Sequence, residues 1–368
     1  MLKLLVLTDD PISYSHGTGA VLLKILQKQK DENIVHGYLH AVSKPIPTNS
    51  FIIPKAQDSP QESAKAILQQ LRERDFHPDI IYSNFYGVTG LRILSSLFEQ
   101  AADLPPVIQH FHDLRIEGDD DFLPLLRSIQ HRIARLWVLT SRMAKRLEKE
   151  VDKPVEVFSS LCAAATTCFK TEHFDFGPGF KGVMLGNIWQ ASLVLDVRLA
   201  WRTLRQAMPG LGPLSWYSHP FSLESLKRSG QDIGSEIEHC GFAPDLAAVL
   251  KDADLAIVPF NQSDSPDNDY DRFSFPSRLS ELTMAGLPVF ALACPGTTIW
   301  EFIHKTGIGR CACPADAPGV SRTLEEFAFD REAREACGRR ARELALVEFD
   351  QDVLSARYAA AFEATLKN

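Results

Sequence analysis

The chain lacks a long apolar run. Nowhere in its 368 residues is there a stretch of the roughly 18 apolar side chains that would cross a bilayer. Its opening, Met1-Leu-Lys-Leu-Leu-Val-Leu-Thr-Asp-Asp10, is apolar over too few positions for a secretory signal, and no small-residue cleavage site follows. The expected location is the cytoplasm, at most the inner face of a membrane. Positive charge is not in excess either: 39 Lys and Arg stand against 47 Asp and Glu, a net charge of −8. That balance argues against a nucleic-acid binder. One local exception is Arg127, Arg132, Arg135, Arg142, Lys145, Arg146 and Lys149, which reads first as a solvated helical face and second as a docking patch for anionic lipid. The seven cysteines are odd in number, irregularly spaced and without a C-x-x-C. They read as reduced thiols rather than as a disulfide framework or a zinc site. No strand is followed by G-x-G-x-x-G, which disfavours a nicotinamide-dependent dehydrogenase.

What the sequence does contain alternates. Runs of strand length fall at 2–8, 33–39, 79–84, 106–111, 136–140 and 154–158. Helical patterns fall near 20–30, 61–74, 87–100 and 142–150, with one more between the strands at 106–111 and 136–140. Ser141 stands where its hydroxyl can cap the helix at 142–150. The second half repeats the rhythm. Its strands lie at 182–188, 214–218, 236–242, 255–260, 288–293 and 309–313. Its helices lie near 193–208, 222–228, 244–253, 276–285, 298–305, 321–327, 331–348 and 351–366. Alternation of this kind implies parallel sheets with helices on both faces. The stretch 159–179, rich in Ala and Thr and then in Gly and Pro, breaks the rhythm and reads as a linker. Ligands of doubly wound sheets bind outside the carboxyl ends of the strands, so the expected site is a cleft between two such domains.

The most informative stretch begins Cys240-Gly-Phe-Ala-Pro-Asp245 and runs through Ala253-Asp-Leu-Ala-Ile-Val-Pro259. It continues after a polar loop as Pro276-Ser-Arg-Leu-Ser-Glu281-Leu-Thr-Met-Ala-Gly-Leu-Pro-Val289. These motifs, in this order, resemble the donor site of the GT-B glycosyltransferases, and more narrowly the retaining family-4 type, also called glycosyl transferases group 1. The resemblance is good over about 182–313 and weaker over 1–158. The residue chemistry points the same way. Pro276 is placed to start a helix whose free N–H groups attract a diphosphate. Ser277 adds a hydroxyl and Arg278 a guanidinium suited to phosphate oxygens. Glu281, one turn on, can accept hydrogen bonds from both ribose hydroxyls, the role the resemblance also implies. A helix start with a surface glutamate is the plainer alternative. Gly241 and Phe242 fall near the base on this reading.

In the first half, Gln109-His-Phe-His-Asp113 ends a strand, so His110 and His112 point the same way. A zinc pair lacks an evident third ligand. The resemblance instead singles out His112 and Asp113, similar to the His-Asp pair that faces the donor sugar; a satisfied strand-end histidine is the alternative. The glycines of His16-Gly17-Thr-Gly19 would let backbone N–H groups approach the leaving diphosphate or the sugar, or simply make a turn. The loop Cys294-Pro-Gly-Thr-Thr298 is either near the sugar or phosphate or an ordinary strand-to-helix turn. Asp264, Asp267, Asp269 and Asp271 fail the calcium-loop pattern, because Arg272 and Arg278 stand where glycine and glutamate are required. They read as a solvated loop.

Two departures from the family pattern stand out. Many relatives of this type have a glutamate eight positions before Glu281, where this chain has Phe273, although related sequences vary there. Relatives often show Gly-Arg followed by a Lys, where this chain has Gly186-Asn187 and then Trp189-Gln-Ala191. The expected fold is α/β, GT-B: 1–158 an acceptor-binding domain, 159–179 the linker, 180–348 the nucleotide-sugar donor domain and 349–368 a helix crossing back to the first domain. The implied activity is transfer of a sugar from a nucleotide-diphosphate sugar to a glycan, lipid-linked or small-molecule acceptor, with retention and with no cofactor or metal. Candidate catalytic residues are His112 and Asp113. Candidate donor-binding residues are Gly17, Gly19, Asn187, Gly241, Phe242, Ser277, Arg278 and Glu281. The alternatives are a non-catalytic GT-B scaffold, motivated by the missing charges, and a nucleotide-sugar epimerase. A non-polar sugar face opposite Phe273 would suit a deoxysugar.

Overall fold

The structure, a computed structural model, describes residues 2–12, 17–26, 30–40, 49–54, 59–114, 121–163, 177, 179–188, 191–243, 245–260 and 272–367. The chain packs into two compact units. The first comprises Met1–Cys162, Phe273–Ser277 and Gln351–Asn368; the second comprises Ala163–Arg272 and Arg278–Asp350.

The first unit is built on a seven-stranded, wholly parallel sheet. Its strands are β1 (Leu4–Thr8), β2 (Ile34–Tyr38), β3 (Ser50–Ile52), β4 (Ile80–Asn84), β5 (Val107–Phe111), β6 (Ile133–Val138) and β7 (Val155–Val157), in the order β3-β2-β1-β4-β5-β6-β7. β1, β2, β4 and β5 are buried at every position, as central strands covered on both faces must be. Helices α1 (Gly17–Leu26), α2 (Pro60–Glu73), α3 (Val88–Gln100), α4 (Phe122–Ile129) and α5 (Ser141–Leu147) complete the crossovers. α2 shows why such a segment coils. The Ser59 hydroxyl accepts from Glu62 N–H at its start, Pro60 fills the first turn, and Ala64, Ile67 and Leu71 make its buried stripe.

The sheet of the second unit has six parallel strands: β8 (Gly182–Leu185), β9 (Leu214–Tyr217), β10 (Ile237–Gly241), β11 (Leu255–Pro259), β12 (Val289–Leu292) and β13 (Gly309–Ala312), in the order β10-β9-β8-β11-β12-β13. Its helices are α6 (Ala191–Ala207), α7 (Pro220–Arg228), α8 (Leu246–Asp252), α9 (Leu279–Met284), α10 (Thr298–Thr306), α11 (Ala317–Phe329) and α12 (Arg331–Glu348). The last helix, α13 (Gln351–Leu366), belongs to the first unit. Its Leu354, Tyr358, Ala361 and Phe362 share a core with Tyr82, Ile108 and Trp137. Strand order reverses at β1/β4 in one sheet and at β8/β11 in the other, the two places where such sheets open a crevice.

Several expectations need correction. β3 is absent from the sequence reading, because its three residues lie between Pro47 and Pro54, in a stretch whose prolines read as loop. Thr140, not Ser141, caps α5, accepting from Met143 N–H at 3.2 Å; Ser141 is already helical. Cys294 and Cys313 are not free thiols but form a disulfide. β12 and β13 pair in register through Leu292 and Ala312, which brings the residues just beyond them together. Cys162, Cys240, Cys311 and Cys337 are not in a disulfide, and Cys168 lies outside the described residues, as do the acidic loop at 261–271 and most of the linker at 164–176.

The basic stretch is largely engaged within the unit. Glu150 accepts from both Arg127 and Arg146, which hold its carboxyl below the usual range. Arg135 pairs with Glu156, Arg132 covers the Phe98 ring at 5.0 Å, and Arg142 covers Phe273 at 5.8 Å. Lys145 and Lys149 are exposed. No helix among the described residues is long and apolar enough to cross a membrane.

Candidate functional site

In the second unit the carboxyl ends of β8, β9 and β10 carry a connected set of groups. Beyond β8 the chain turns at Gly186, whose φ of +95° is a conformation glycine adopts without strain. The turn is tied down twice: Gly186 N–H donates to Tyr217 O at 2.9 Å, and Trp216 Nε1–H donates to Gly186 O at 2.9 Å. Arg278 lies across it. A Cβ at Gly186 would stand 3.3 Å from Arg278 Cγ.

Glu281 sits one turn further along α9. It is 7% exposed, so the surface-glutamate alternative does not hold. Its Oε2 accepts from Ser280 Oγ at 3.1 Å, and its Oε1 lies 3.8 Å from Arg278 Nη1. The helix itself departs from expectation. It starts at Leu279 rather than Pro276 and has six residues. Residues Phe273–Ser277 instead pack as part of the first unit, which keeps them out of the helix. The cationic character here therefore rests on the Arg278 guanidinium more than on a helix terminus.

The neighbouring loop adds a residue that the sequence reading missed. Asn187 Oδ1 accepts from His219 N–H and from Ser222 Oγ, both at 3.1 Å. With its oxygen so occupied, Asn187 braces the loop after β9. His219 in turn meets Phe242 edge to face, ring centroids 5.2 Å apart. Phe242 follows a register shift in β10 and Gly241 at φ +72°, and such a bulge re-aims the next side chain. A Cβ at Gly241 would meet nothing within 4 Å, so the backbone there is open to approach. The second unit thus brings Asn187, Gly241, Phe242, Arg278 and Glu281 to one edge of its sheet. His219 escaped notice because nothing in its local sequence marks it; its position comes from the pairing of β9 with β8 and β10.

The Cys294–Thr298 loop is a tight turn. Gly296 has φ +85°, Thr297 Oγ1 donates to Cys294 O at 2.8 Å, and the same hydroxyl caps α10. Thr298 Oγ1 donates to Arg272 O at 2.8 Å, anchoring the chain just before residue 273.

In the first unit His112 follows β5, and burial pushes its imidazole down to about 3, so it is neutral at ordinary pH. Among the described residues its buried Nε2 has no hydrogen-bond partner. An unmet buried nitrogen costs about 1–3 kcal/mol, which a ligand hydroxyl would relieve. His110 lies edge to face with it at 4.5 Å; its Nδ1 meets the Tyr82 hydroxyl at 2.8 Å, and its Nε2, like that of His112, has no hydrogen-bond partner among the described residues. A zinc pair finds no support here, since no cluster of three metal-ligating side chains occurs among the described residues. Asp113 Oδ1 accepts from Ser274 Oγ at 2.8 Å. Phe273 is 3% exposed within the hydrophobic core of this unit. It has no free face to turn to a sugar, so the deoxysugar inference fails. Gly17 and Gly19 are not a turn ahead of a helix but the first turn of α1 itself; Ser15 and His16 lie outside the described residues.

No family model matches the sequence, and no curated protein matches it significantly. Solved structures do resemble it. A glycosyltransferase from Rickettsia africae superposes with a TM-score of 0.72 at 12% identity, over 100% of this chain and 99% of that one. HepE of Anabaena, solved with UDP and glucose, gives 0.70 at 14% identity, over 98% and 100% of the two chains. WaaG, a glycosyltransferase involved in lipopolysaccharide biosynthesis, gives 0.63 at 13% identity, over 97% and 99%. At such identities the likeness is one of fold.

Proposed function

We propose that this chain, which has the GT-B fold, transfers a sugar from a nucleoside-diphosphate sugar to a glycan, lipid-linked or small-molecule acceptor, with retention at the anomeric carbon. The observation that carries the reading is the pairing of Arg278, laid across Gly186, with the buried carboxylate of Glu281 at the β8 end of the second sheet. A cation and a buried acceptor side by side at a topological switch point suit a diphosphate and the adjoining ribose. That nucleotide complexes exist for HepE supports the same class of ligand.

In this reading the second unit holds the donor and the first the acceptor. Glu281 accepts from the ribose hydroxyls. Arg278 and Ser277 contact phosphate oxygens, Asn187 braces the loop beside them, and Gly241 and Phe242 meet the base. The neutral His112 hydrogen-bonds the sugar and orients it, while Asp113, fixed by Ser274, and the first turn of α1 at Gly17 and Gly19 border the same strand ends. The acceptor oxygen forms the new bond to the anomeric carbon as the bond to the phosphate oxygen breaks. The departing phosphate keeps that electron pair and takes the acceptor's proton.

Charge builds on the leaving diphosphate, and stabilising it is the largest catalytic requirement. Many glycosyltransferases of this type place two cations near this turn; among the described residues, Arg278 lies against Gly186. No metal is invoked, and activity is expected to survive exhaustive chelation. The test is thermal denaturation against UDP, GDP, TDP, ADP and their sugars, for wild type and Glu281→Ala. Nucleotide at about 100 times its dissociation constant adds about 2.7 kcal/mol, and the variant should lose that shift. Stabilisation without turnover of any donor would favour the non-catalytic scaffold. No stabilisation in a folded sample would end the reading.

A further inference from the structure

Phe242 is 60% exposed at the end of β10. A flat apolar ligand seated on that ring would gain the burial the ring forgoes in water. The His219 ring lies against it at an interplanar angle of 88°, and it is fixed in more than position. Its Nδ1 accepts the N–H of Phe221 at 3.0 Å, capping α7. A nitrogen that accepts carries no proton, so in the neutral ring the proton is on Nε2. Its backbone N–H is held by Asn187 Oδ1. The result is a preset N–H donor beside an uncovered aromatic face.

We propose that His219 reads the nucleobase of the donor. The base stacks on Phe242, and His219 Nε2–H donates to the exocyclic oxygen at pyrimidine C4 or purine C6. Uracil, thymine and guanine carry that oxygen. Cytosine and adenine carry an amino group there, itself a donor, which would face His219 N–H unpaired. The site therefore selects keto bases. This inference rests on the donor site proposed above, but its test separates the two.

The experiment is binding of UDP, TDP, GDP, CDP and ADP to the full chain by calorimetry, for wild type, His219→Asn, Phe242→Ala and Glu281→Ala. Asparagine preserves an acceptor for the α7 cap while removing the imidazole donor, and melting curves confirm that the variant folds. Wild type should bind at least one keto nucleotide about tenfold tighter than CDP and ADP, as one well-made hydrogen bond allows. His219→Asn should weaken the keto nucleotides by about tenfold and leave CDP and ADP unchanged. Phe242→Ala should weaken all five by roughly ten- to a hundredfold, as loss of base stacking does. A base ratio unchanged in His219→Asn, or a wild-type preference for CDP or ADP, overturns the role of His219 while a normal Glu281→Ala defect leaves the donor site standing. No binding of any nucleotide by wild type overturns both.

Discussion

Gly186 and Arg278 depend on each other. A side chain at 186 would meet both a strained φ of +95° and the Arg278 stem at 3.3 Å. Gly186→Val is therefore expected to displace the guanidinium and to weaken donor binding nearly as much as Arg278→Ala, with the double variant no worse than either. Such non-additivity marks two residues serving one interaction and is measurable by a double-mutant cycle on nucleotide affinity. In turnover, Arg278→Ala should lower kcat by about 10²–10³-fold, the cost of one lost donor to a developing oxyanion. Steady-state kinetics with the preferred donor checks this. Glu281 stood out in the sequence because the motif around it, Pro276–Val289, resembles a known donor-site pattern; its burial did not. His219 did not stand out, since a histidine after a strand is unremarkable until neighbouring strands place it against Phe242. Phe273 was visible as a departure from the family pattern, but only packing shows that its ring fills the first unit's core.

Among the elements, the long terminal helices were readable to the residue, while β3 was missed and the start of α9 misplaced. α12 and α13 match their expected bounds, because eighteen and sixteen residues give several turns of pattern. β3 and α9 did not, because a few residues in either conformation are decided by tertiary contacts rather than by local propensity. The Thr140 cap is testable alone: Thr140→Ala should cost about 1 kcal/mol, read by urea denaturation. The disulfide could not be inferred from spacing, since the 19-residue separation has meaning only once β12 and β13 are neighbours. Closing a loop of that size stabilises by about 3 kcal/mol on the chain-entropy model. Oxidised protein should therefore resist urea better than reduced, and Cys313→Ser should abolish the difference. Peptide mapping without reductant should find the bond directly.

At the scale of the molecule, His36, His110 and His112 are buried in the first unit in neutral form. Burial pushes His36 and His112 down to about 3 and His110 well below its ordinary value. The unfolded chain binds a proton at each near pH 6.5, while the folded chain does not until far lower. Stability is thus full above about pH 6.5 and falls as pH drops toward 3, on the order of 2 kcal/mol per histidine by pH 5. Denaturant midpoints at pH 7, 6 and 5 should decline accordingly, and less so in His36→Asn. The order of segments has another consequence. The first unit is made of the chain's first 162 residues and, among its later pieces, the helix that begins at 351. Tyr358 and Phe362 ring-stack or edge onto Tyr82 and Trp137 in that unit's core. On the ribosome, the partners in β4 and β6 emerge first, and α13 follows roughly 10–40 s later at 5–20 residues per second. During that interval the nascent chain carries an uncovered aromatic face, so the timing of translation, and any chaperone able to shield that face, becomes part of how this protein reaches its native state.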